Sequence, residues 1–568
     1  MAAGLFAVAV FCGGCQQPAA ATAPVASSNW AAFVAAYLEG YFVANPTFAA
    51  YQGRHEFDGK LPDWSEAGLQ KRIAWLEAQR SEALAFANAT LAPRESFERD
   101  YLVAQIRGDL FWMKTVDLPH RSPYFYADAL DPDFYVSRPY APLATRLDAY
   151  TRYARAVPGA LQQIKANLQG PLAKPLVAIG KLTIGGLADF YAQDVTKIFA
   201  EVKDAARQAE FKKANDAAIA AVQEFAAWLT AREKTAAADF ALGAEKFQAM
   251  LRETEGVNIS VAELEAIGRK DMDRNLPALT AACAKFAPGK TVDEAIALAS
   301  AHKPEGSVVQ HATRQLGELE KFIRDRDLVS IPGTEKAKVD EAPAYKRWNF
   351  AYINIPGPYE HGMPSVYYVA PPDPTWSKQK QDEYVPGVGS LLFTSAHEVW
   401  PGHFLQFLHA NRAPSKFGQV FVGYAFAEGW AHYTEEMMWE AGLGDGSPEL
   451  HIGQLLEALL RNARLLSAIG LHTKGMTIEE STKLFREQGH ADPASSEEQA
   501  RRGAFDPAYV NYTMGKLMIY KLRADWTATR GGRAAWKQFH DAFLEFGGPP
   551  IPLVRRAMMG AADNGSLF

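Results

Sequence analysis

Apolar residues recur with helical spacing along most of the chain. After Ser28, a residue suited to cap a helix, the apolar positions follow a period of about 3.6 residues up to Pro46. They are Trp30, Phe33, Val34, Tyr37, Leu38, Tyr41 and Phe42. Residues 201–235 are rich in Ala, Glu and Lys and predict a long, partly exposed helix. The pattern therefore predicts a mainly α protein.

Strand-like segments are few, and they lie close together. Residues 347–356 (RWNFAYINIP) and 364–372 (PSVYYVAPP) are rich in Tyr, Val and Ile and are bounded by Gly and Pro. This pattern predicts a small β ribbon. A loop rich in Pro and Gly follows at 371–389, and the helical pattern then resumes.

The C-terminal part carries two signals for the start of a helix. The T/S-x-x-E sequences at 477–480 and 495–498 predict capping boxes. We find no internal repeat. We divide the chain into a leader, 1–28, an N-terminal helical half, 29–330, and a C-terminal half, 331–568, which together form one catalytic body.

Composition and charge exclude one class of partner. The chain has 568 residues, of which 48% are hydrophobic and 22% are charged, as in globular proteins with a large core. The formal net charge is -6, and both signs are interspersed. Without a basic stripe or tail, nucleic acid is not an expected partner. The sequence does not indicate an oligomeric state.

The first fifteen residues, MAAGLFAVAVFCGGC, form an apolar run that ends in small residues. Such a run is typical of a secretory signal and is too short for a permanent membrane anchor. Its ending resembles a bacterial lipoprotein signal, in which cleavage before Cys15 leaves that thiol to carry lipid. We therefore expect an exported protein on the periplasmic face of a membrane, held by a lipid anchor. A plain signal peptide is the alternative, because no Lys or Arg precedes the apolar run.

The sequence HEVWPGH at 397–403 contains the parts of the zinc motif H-E-x-x-H with two additional residues. On a regular helix His397 and His403 would point about 120° apart, too far to share a metal ion. Pro401 cannot donate a hydrogen bond to the carbonyl of His397, and Gly402 tolerates unusual backbone angles. We therefore predict a distortion at Pro401 that turns both histidines to one point.

A third ligand is available 25 residues after His403, in the helical stretch FVGYAFAEGWAHYTEEMMWE. Glu428, His432 and Glu435 have the spacing i, i+4 and i+7 and therefore share one helix face. Two His and one Glu, with the fourth position left to water, form a typical catalytic zinc site. We expect His432 and Glu435 to orient a ligand. Alternatively, His432 could itself be a ligand, and Glu435 could belong to a solvated face.

Beyond spacing, these residues resemble a known family. HEVWPGHFLQ and EGWAHYTEE are similar to the paired motifs H-E-x-x-P-G-H-x-x-Q and E-G-W-A-x-Y-x-E of the bacterial family "domain of unknown function 885". Its members resemble helical zinc peptidases of the gluzincin type. The resemblance implies two helical halves that flank a deep cleft, one Zn²⁺ per chain on His397, His403 and Glu428, and Glu398 as general base.

The resemblance also implies further site residues. The family pattern R-L-x-x-D-x-G-x-H corresponds to RLLSAIGLH here, with Ala468 in place of the aspartate and Arg464 and His472 retained. Arg464 is therefore a candidate for substrate binding. Helical zinc peptidases commonly stabilise the oxyanion with a residue across the cleft, for which Tyr512 and His472 are candidates. A packing role explains Tyr512 equally well.

Tyr367 and Tyr368 lie on the predicted ribbon just before the motif. They could pair with an extended peptide by strand addition. Ordinary strand packing explains them equally well.

The sequence thus predicts a zinc-dependent hydrolase that cleaves short peptides, with a water on the metal as the nucleophile. One alternative is a zinc hydrolase of amides or esters that are not peptides. Another is a lipoprotein that binds peptides or metal without catalysis, although storage alone needs no base such as Glu398.

Overall fold

The computed structural model describes residues 29–343, 346–347, 350–560, 563 and 565–568. The leader, with Ser28 and the predicted lipid attachment site Cys15, lies outside the described residues. The described chain is mainly helical with one small sheet, which confirms the predicted fold class. No helix within these ranges is both long and apolar enough to cross a membrane.

The helices of the N-terminal part begin with the predicted one after residue 29. In chain order, α1 to α11 are Trp30–Ala44, Pro46–Tyr51, Glu66–Ala85, Pro93–Leu110, Leu118–Arg121, Asp133–Ser137, Leu143–Asn167, Lys174–Thr183, Leu187–Phe190, Thr196–Phe199 and Ala205–Glu233. The seven apolar residues that predict α1 are all buried. The long helix predicted from the Ala-rich stretch is α11, and the side chain of Asp204 caps it.

The helices of the C-terminal part lie before and after the sheet in the chain. In chain order, α12 to α26 are Ala244–Glu255, Val261–Phe286, Val292–Ala301, Val308–Asp325, Lys378–Tyr384, Val388–Glu398, His403–Ala410, Lys416–Val420, Tyr424–Glu440, Pro448–Thr473, Ile478–Glu487, Pro493–Phe505, Asn511–Ala528, Trp536–Leu544 and Ile551–Met559. Of these, α16 lies inside the segment predicted as a loop.

The two predicted capping boxes have different outcomes. The box of Thr477 and Glu480 is confirmed at the start of α22. The box predicted for Ser495 and Glu498 is wrong, because α23 already begins at Pro493. Its cap is Asp492, whose side chain accepts from the N–H groups of residues 494 and 495.

The predicted ribbon belongs to a three-stranded sheet of β1 (Ala337–Glu341), β2 (Ala351–Asn354) and β3 (Ser365–Val369). The strand order is β1-β3-β2, with β1 parallel and β2 antiparallel to β3. The sequence prediction missed β1. Its residues AKVDE include charged side chains, which are typical of edge strands. The sheet lies between α15 and α16, shortly before α17, the helix that carries His397.

Buried apolar side chains of the described chain form two cores. The first contains residues from α1 to α11 together with Phe417, Val420 and Phe421. The second contains Phe111 and Val116 together with residues from Phe247 to Val554, including those of α12 to α15. Most buried residues before about residue 240 therefore pack in the first core, and most of those after it pack in the second. The division of the chain into two halves at residue 330 stays a prediction. The segment after His403 joins the cores, because Phe421 packs in the first and its carbonyl accepts from Tyr101 Oη at 2.5 Å.

A cleft of about 2380 Å³ is lined by residues of both cores. Tyr41, Phe48 and Phe421 contribute from the first core, and β2 with helices α14, α17 and α21 contributes from the second. His397, Glu398, His403 and Glu428 all line this cleft.

Candidate metal centre

The HEVWPGH segment interrupts the helix at the place where the sequence predicts a distortion. Helix α17 ends at Glu398, and α18 begins at His403. Pro401 has no N–H group to continue the helical ladder. The Gly402 N–H donates instead to the carbonyl of Ala396 at 2.9 Å. The distortion is confirmed, as a break between two helices and not as a bulge within one.

Close packing holds this break in place. A Cβ at position 402 would lie 1.7 Å from the carbonyl oxygen of His397, so that only glycine fits. On the other side, Trp430 Nε1 donates to the carbonyl of Pro401 at 2.8 Å. Trp430 belongs to α20, which also carries Glu428, so the break is fixed against the helix that supplies the third candidate ligand.

His397, His403 and Glu428 converge in the cleft. Their ligating atoms all lie within 4.8 Å of one another. Glu428 Oε2 is 3.3 Å from His397 Nε2 and 3.4 Å from His403 Nε2. The imidazole rings stand perpendicular to each other, with centroids 4.8 Å apart.

The three side chains fit a zinc ion. Zinc bonds to His nitrogen and carboxylate oxygen measure about 2.0–2.1 Å, so two ligands of a tetrahedral site are about 3.3–3.4 Å apart. Both distances from Glu428 Oε2 agree with this value. The same oxygen is buried and accepts no hydrogen bond in the described chain. A buried carboxylate oxygen without a donor is suited to bind a cation.

Glu435 orients the first histidine. Its Oε1 accepts a hydrogen bond from His397 Nδ1 at 2.6 Å, and its Oε2 accepts one from His432 Nδ1 at 3.1 Å. Arg461 Nη2 lies 3.4 Å from the same carboxylate. Because Nδ1 of His397 carries the proton, its Nε2 lone pair is directed toward the ligand position. The alternative of a solvated face for Glu435 is wrong, because the residue is fully buried.

His432 does not join the three candidate ligands. Burial lowers the pKa of His432 to about 4, so the ring is neutral at pH 7. Its Nδ1 donates to Glu435, and the ligating atoms that converge in the cleft belong to His397, His403 and Glu428. The structure thus places His432 behind the ligands, where it helps to hold Glu435.

The carboxylates around His397 perturb its charge. Burial alone would lower the pKa of His397, but the nearby carboxylates of Glu428 and Glu435 raise it to about 9. Burial alone would raise the pKa of Glu428, but His403 and His397 hold it well below its usual range. A proton and a cation therefore compete for the same His397 nitrogen.

Glu398 lines the cleft next to the first histidine. Burial raises the pKa of its carboxyl group above the usual value, although the nearby His403 and His397 counteract this effect. A carboxylate with a raised pKa, beside the point where the three ligands converge, is suited to accept and return a proton.

Tyr512 reaches the site because two helices pack closely. A Cβ at Gly429 of α20 would lie 2.6 Å from Gly515 Cα of α24, so glycines permit this approach. One turn before Gly515, the ring of Tyr512 lies nearly parallel to that of His397, with centroids 6.3 Å apart. Arg502 donates to Tyr512 Oη at 3.4 Å. Tyr512 thus lines the cleft together with His397 and Glu428, and a cation polarises its hydroxyl group.

His472 is not part of the site, which corrects the sequence expectation. It is 2% exposed and does not line the cleft. Its Nε2 donates to the carbonyl of Gly503 at 2.7 Å, and its Nδ1 accepts from the Leu242 N–H at 3.3 Å. Burial lowers its pKa to about 4, so His472 is a neutral residue of the core.

Strand addition at Tyr367 and Tyr368 is also corrected. Both residues lie on β3, the middle strand, whose two edges are already paired with β1 and β2. Tyr367 is fully buried, and neither tyrosine lines the cleft. The strand that borders the cleft is β2, through Ala351, Tyr352 and Ile353.

The structure adds arginines that the sequence reading did not single out. Arg461 contacts Glu435, and Arg502 contacts Tyr512. Arg464, a predicted substrate contact, lines the same wall of the cleft. The run EEQARR around Arg502 has the charge pattern of a solvated helix, so no local signal indicates this role.

The comparisons with known proteins agree with this architecture. Residues 46–558 match the model of the family described as "Bacterial protein of unknown function (DUF885)". The search of the curated proteins found no match.

Two solved structures have a similar fold. One, from Shewanella oneidensis, is described as "a putative lipoprotein of unknown function". It superposes with a TM-score of 0.78 at 24% identity and covers 94% of this chain and 100% of its own. The other, from Colwellia psychrerythraea, is described as a "putative lipoprotein". Its TM-score is 0.74 at 16% identity, with 94% and 98% of the chains covered.

Proposed function

The chain belongs to the bacterial family of unknown function DUF885, and we propose that it is a zinc-dependent hydrolase that cleaves the peptide bonds of short peptides. One observation carries this proposal. The ligating atoms of His397, His403 and Glu428 converge, Glu428 Oε2 lies at the separation expected for zinc ligands from both histidines, and Glu398 lines the same cleft. A site for metal storage would not need this additional carboxylate.

The chain's own residues would perform the following steps. Zinc held by His397, His403 and Glu428 would supply Lewis acidity that lowers the pKa of a water and polarises a carbonyl group. Glu398 takes a proton from the attacking water as the C–O bond forms. It then delivers this proton to the amine nitrogen as the C–N bond breaks. The hydroxyl of Tyr512, polarised by Arg502, donates to the oxyanion.

The dimensions of the cleft favour a peptide as substrate. Pockets for small molecules usually measure about 300–1,000 Å³, whereas this cleft measures about 2380 Å³. Aromatic side chains, charged groups and the β2 strand line it together. An extended chain of several residues fills such a space better than a small ester.

We further propose that the protein is exported and held at a membrane by lipid on Cys15. The support is the leader sequence ending FCGGC, together with the descriptions of the two similar structures, each as a "putative lipoprotein". Labelling cells with a palmitate analogue should mark the wild-type protein and not Cys15→Ser. Equal labelling of both proteins would remove Cys15 as the attachment site.

Turnover of a mixed peptide library tests the proposed activity. Zinc-loaded protein should cleave a subset of the peptides, as read by mass spectrometry. Chelation should stop this cleavage, and added zinc should restore it. Hydrolysis of esters or non-peptide amides without any peptide cleavage would favour the alternative hydrolase, and zinc-loaded protein without turnover would favour a binding protein.

The metal content of histidine variants tests the ligands. His403→Ala should lose zinc, because only two of the three ligands remain. His409→Ala is the matched control on the same helix, since its Nε2 donates to the carbonyl of Ser330 outside the site. This control should retain one zinc per chain. A full zinc complement in His403→Ala would remove His403 from the site.

A further inference from the structure

The wall of the cleft next to the candidate metal centre contains a buried cation without an anionic partner. Arg464, on α21, is 8% exposed and lines the cleft. Its Nε donates to Gln499 Oε1, a neutral amide, at 2.8 Å. Within the described chain, no carboxylate oxygen lies within 4.0 Å of its guanidinium nitrogens. Its positive charge is therefore not neutralised locally.

The neighbouring arginines differ from Arg464 in this respect. Arg461 is paired with the carboxylates of Glu457 and Glu435. Arg502 is paired with Asp506 at 3.1 Å. The charge of Glu498 reaches Arg464, but this residue is exposed and forms no ion pair with it.

An unpaired buried charge is unfavourable unless a ligand supplies its partner. Burial, together with the positive charges of Arg502 and Arg461, lowers the pKa of the Arg464 guanidinium, which nevertheless stays protonated. The planar guanidinium forms paired hydrogen bonds with a carboxylate. A ligand with a carboxylate group would therefore neutralise the charge of the Arg464 guanidinium.

The position of Arg464 limits where this carboxylate lies. Arg464 Cζ is 4.6 Å from the centre of the Tyr512 ring, which is itself 6.3 Å from the centre of the His397 ring. The guanidinium is therefore no more than about 11 Å from the His397 ring. One residue of an extended peptide spans about 3.3–3.6 Å. An extended segment of about three residues therefore covers the distance between the guanidinium and the metal centre.

We propose that Arg464 binds the C-terminal carboxylate of the substrate, so that the protein releases one to three residues from the C-terminus of short peptides. This inference rests on the proposed function and adds the end of the peptide at which cleavage occurs. It also predicts that binding, measured without turnover, depends on the free carboxylate.

A binding measurement tests the assignment directly. Zinc-loaded Glu398→Gln is titrated with a set of tetrapeptides, each as the free acid and as the C-terminal amide. The free acids should bind on the order of 10- to 100-fold more tightly, as expected for a charged hydrogen-bonded pair. Equal affinities of acid and amide, or the absence of peptide binding, would overturn the assignment.

Second variants connect this preference to Arg464. In the Glu398→Gln background, Arg464→Met should abolish the preference for the free acid, and Arg464→Lys should retain part of it. Arg486→Met is the matched control, because Arg486 is an exposed arginine of the same cleft. A preference that survives Arg464→Met would overturn the assignment. The Arg464→Lys variant separates loss of folding from loss of the contact.

Two further arms separate the possible outcomes. Tetrapeptide amides that end in Glu carry a side-chain carboxylate, and binding equal to that of the free acids would reassign the partner and overturn the C-terminal assignment. With wild-type protein, cleavage in the middle of long peptides, with no dependence on the free terminus, would leave the peptidase proposal intact and contradict the role of Arg464. Tight binding of free acids without any turnover would instead contradict the peptidase proposal and support Arg464.

Discussion

Among single residues, Glu435 determines how His397 is presented to a metal. Its carboxylate accepts hydrogen bonds from His397 and His432 and lies beside Arg461. A sequence alone cannot separate this role from that of a solvated glutamate, because EE at 435–436 is compatible with either. The role of Glu435 depends on His397 and Arg461, which come from other parts of the chain and meet Glu435 only in the folded protein.

Glu435→Gln should weaken zinc binding by about 10- to 100-fold, as for other partners of metal-ligating histidines. An amide is a weaker acceptor and cannot hold both imidazoles and Arg461 at once. Competition with a chromophoric chelator measures the affinity. Glu436→Gln is the control, since Glu436 pairs with Arg274 and Lys516 instead. Equal zinc affinity in Glu435→Gln and wild type would contradict the orienting role.

The candidate ligands were accessible from the sequence because residue type and spacing both restrict them. His397, His403 and Glu428 follow from the His/Glu pattern and from the Pro-Gly pair. The roles of Arg461 and Arg502 were not accessible, because they arise from the contact of α21 with α20 and of α23 with α24. His472 was misassigned for the same reason, since its hydrogen bonds to the backbone are formed only in the folded core.

At the scale of elements, the break between α17 and α18 is the feature that creates the site. The sequence predicts it because proline removes a donor and glycine allows a close approach. The sequence does not predict that the helix stops fully at Glu398, because this depends on contacts such as the one from Trp430 to Pro401. The order of the three strands likewise depends on long-range contacts. The sequence therefore does not reveal that Tyr367 and Tyr368 lie on the middle strand, where no peptide can be added.

Gly402→Ala should disrupt this break. The added Cβ would meet the His397 carbonyl at 1.7 Å, so the backbone must shift at the ligand itself. We expect a loss of stability of at least about 1–3 kcal/mol, as for other overpacked positions, and a loss of zinc affinity. Gly317→Ala on α15 is the control, because a Cβ there would meet no atom within 4 Å apart from its chain neighbours and the backbone of its own helix.

Chemical denaturation and zinc titration report the two effects of Gly402→Ala separately. The Gly317→Ala control should be neutral or stabilising by about 0.5–1 kcal/mol, since alanine favours a helix interior. Wild-type zinc affinity in Gly402→Ala would show that the close approach at residue 402 is not required for the site.

At the scale of the whole molecule, the second core contains a neutral histidine that opposes acidification. His540 Nδ1 donates to the Leu328 carbonyl, and its Nε2 accepts from Tyr433 Oη, each at 2.6 Å. Both nitrogens are therefore used in the neutral form. Burial lowers the pKa of His540 to about 3 in the folded protein.

Stability should fall on acidification because of this histidine. Its unfolded pKa is about 6.5, so between about pH 6.5 and pH 3 the unfolded state binds more protons than the folded state. The contribution is fully present above pH 6.5, and about 2 kcal/mol of it should be lost by pH 5. Urea denaturation at several pH values should give a shallower pH dependence for His540→Gln. The exposed His361→Gln should keep the wild-type dependence, and the same slope in all three proteins would contradict the assignment.

The mainly helical class and the presence of a β ribbon were readable from periodicity, because both depend on local spacing. The division of the chain between two cores could not be predicted from periodicity, because residues 417–421 of the C-terminal part pack in the first core. This packing places the segment after His403 across both cores, so that the metal centre lies on the wall of a cleft shared by them.

The rate of peptide hydrolysis by Glu398→Gln tests the central claim most directly. The account predicts that this variant retains one zinc per chain and loses turnover by about 10²- to 10⁴-fold, because the proton acceptor is removed and the ligands remain. Glu383→Gln, an exposed glutamate of the same cleft, should hydrolyse at the wild-type rate. A zinc-loaded Glu398→Gln variant that cleaves peptides as fast as the wild type would contradict the account.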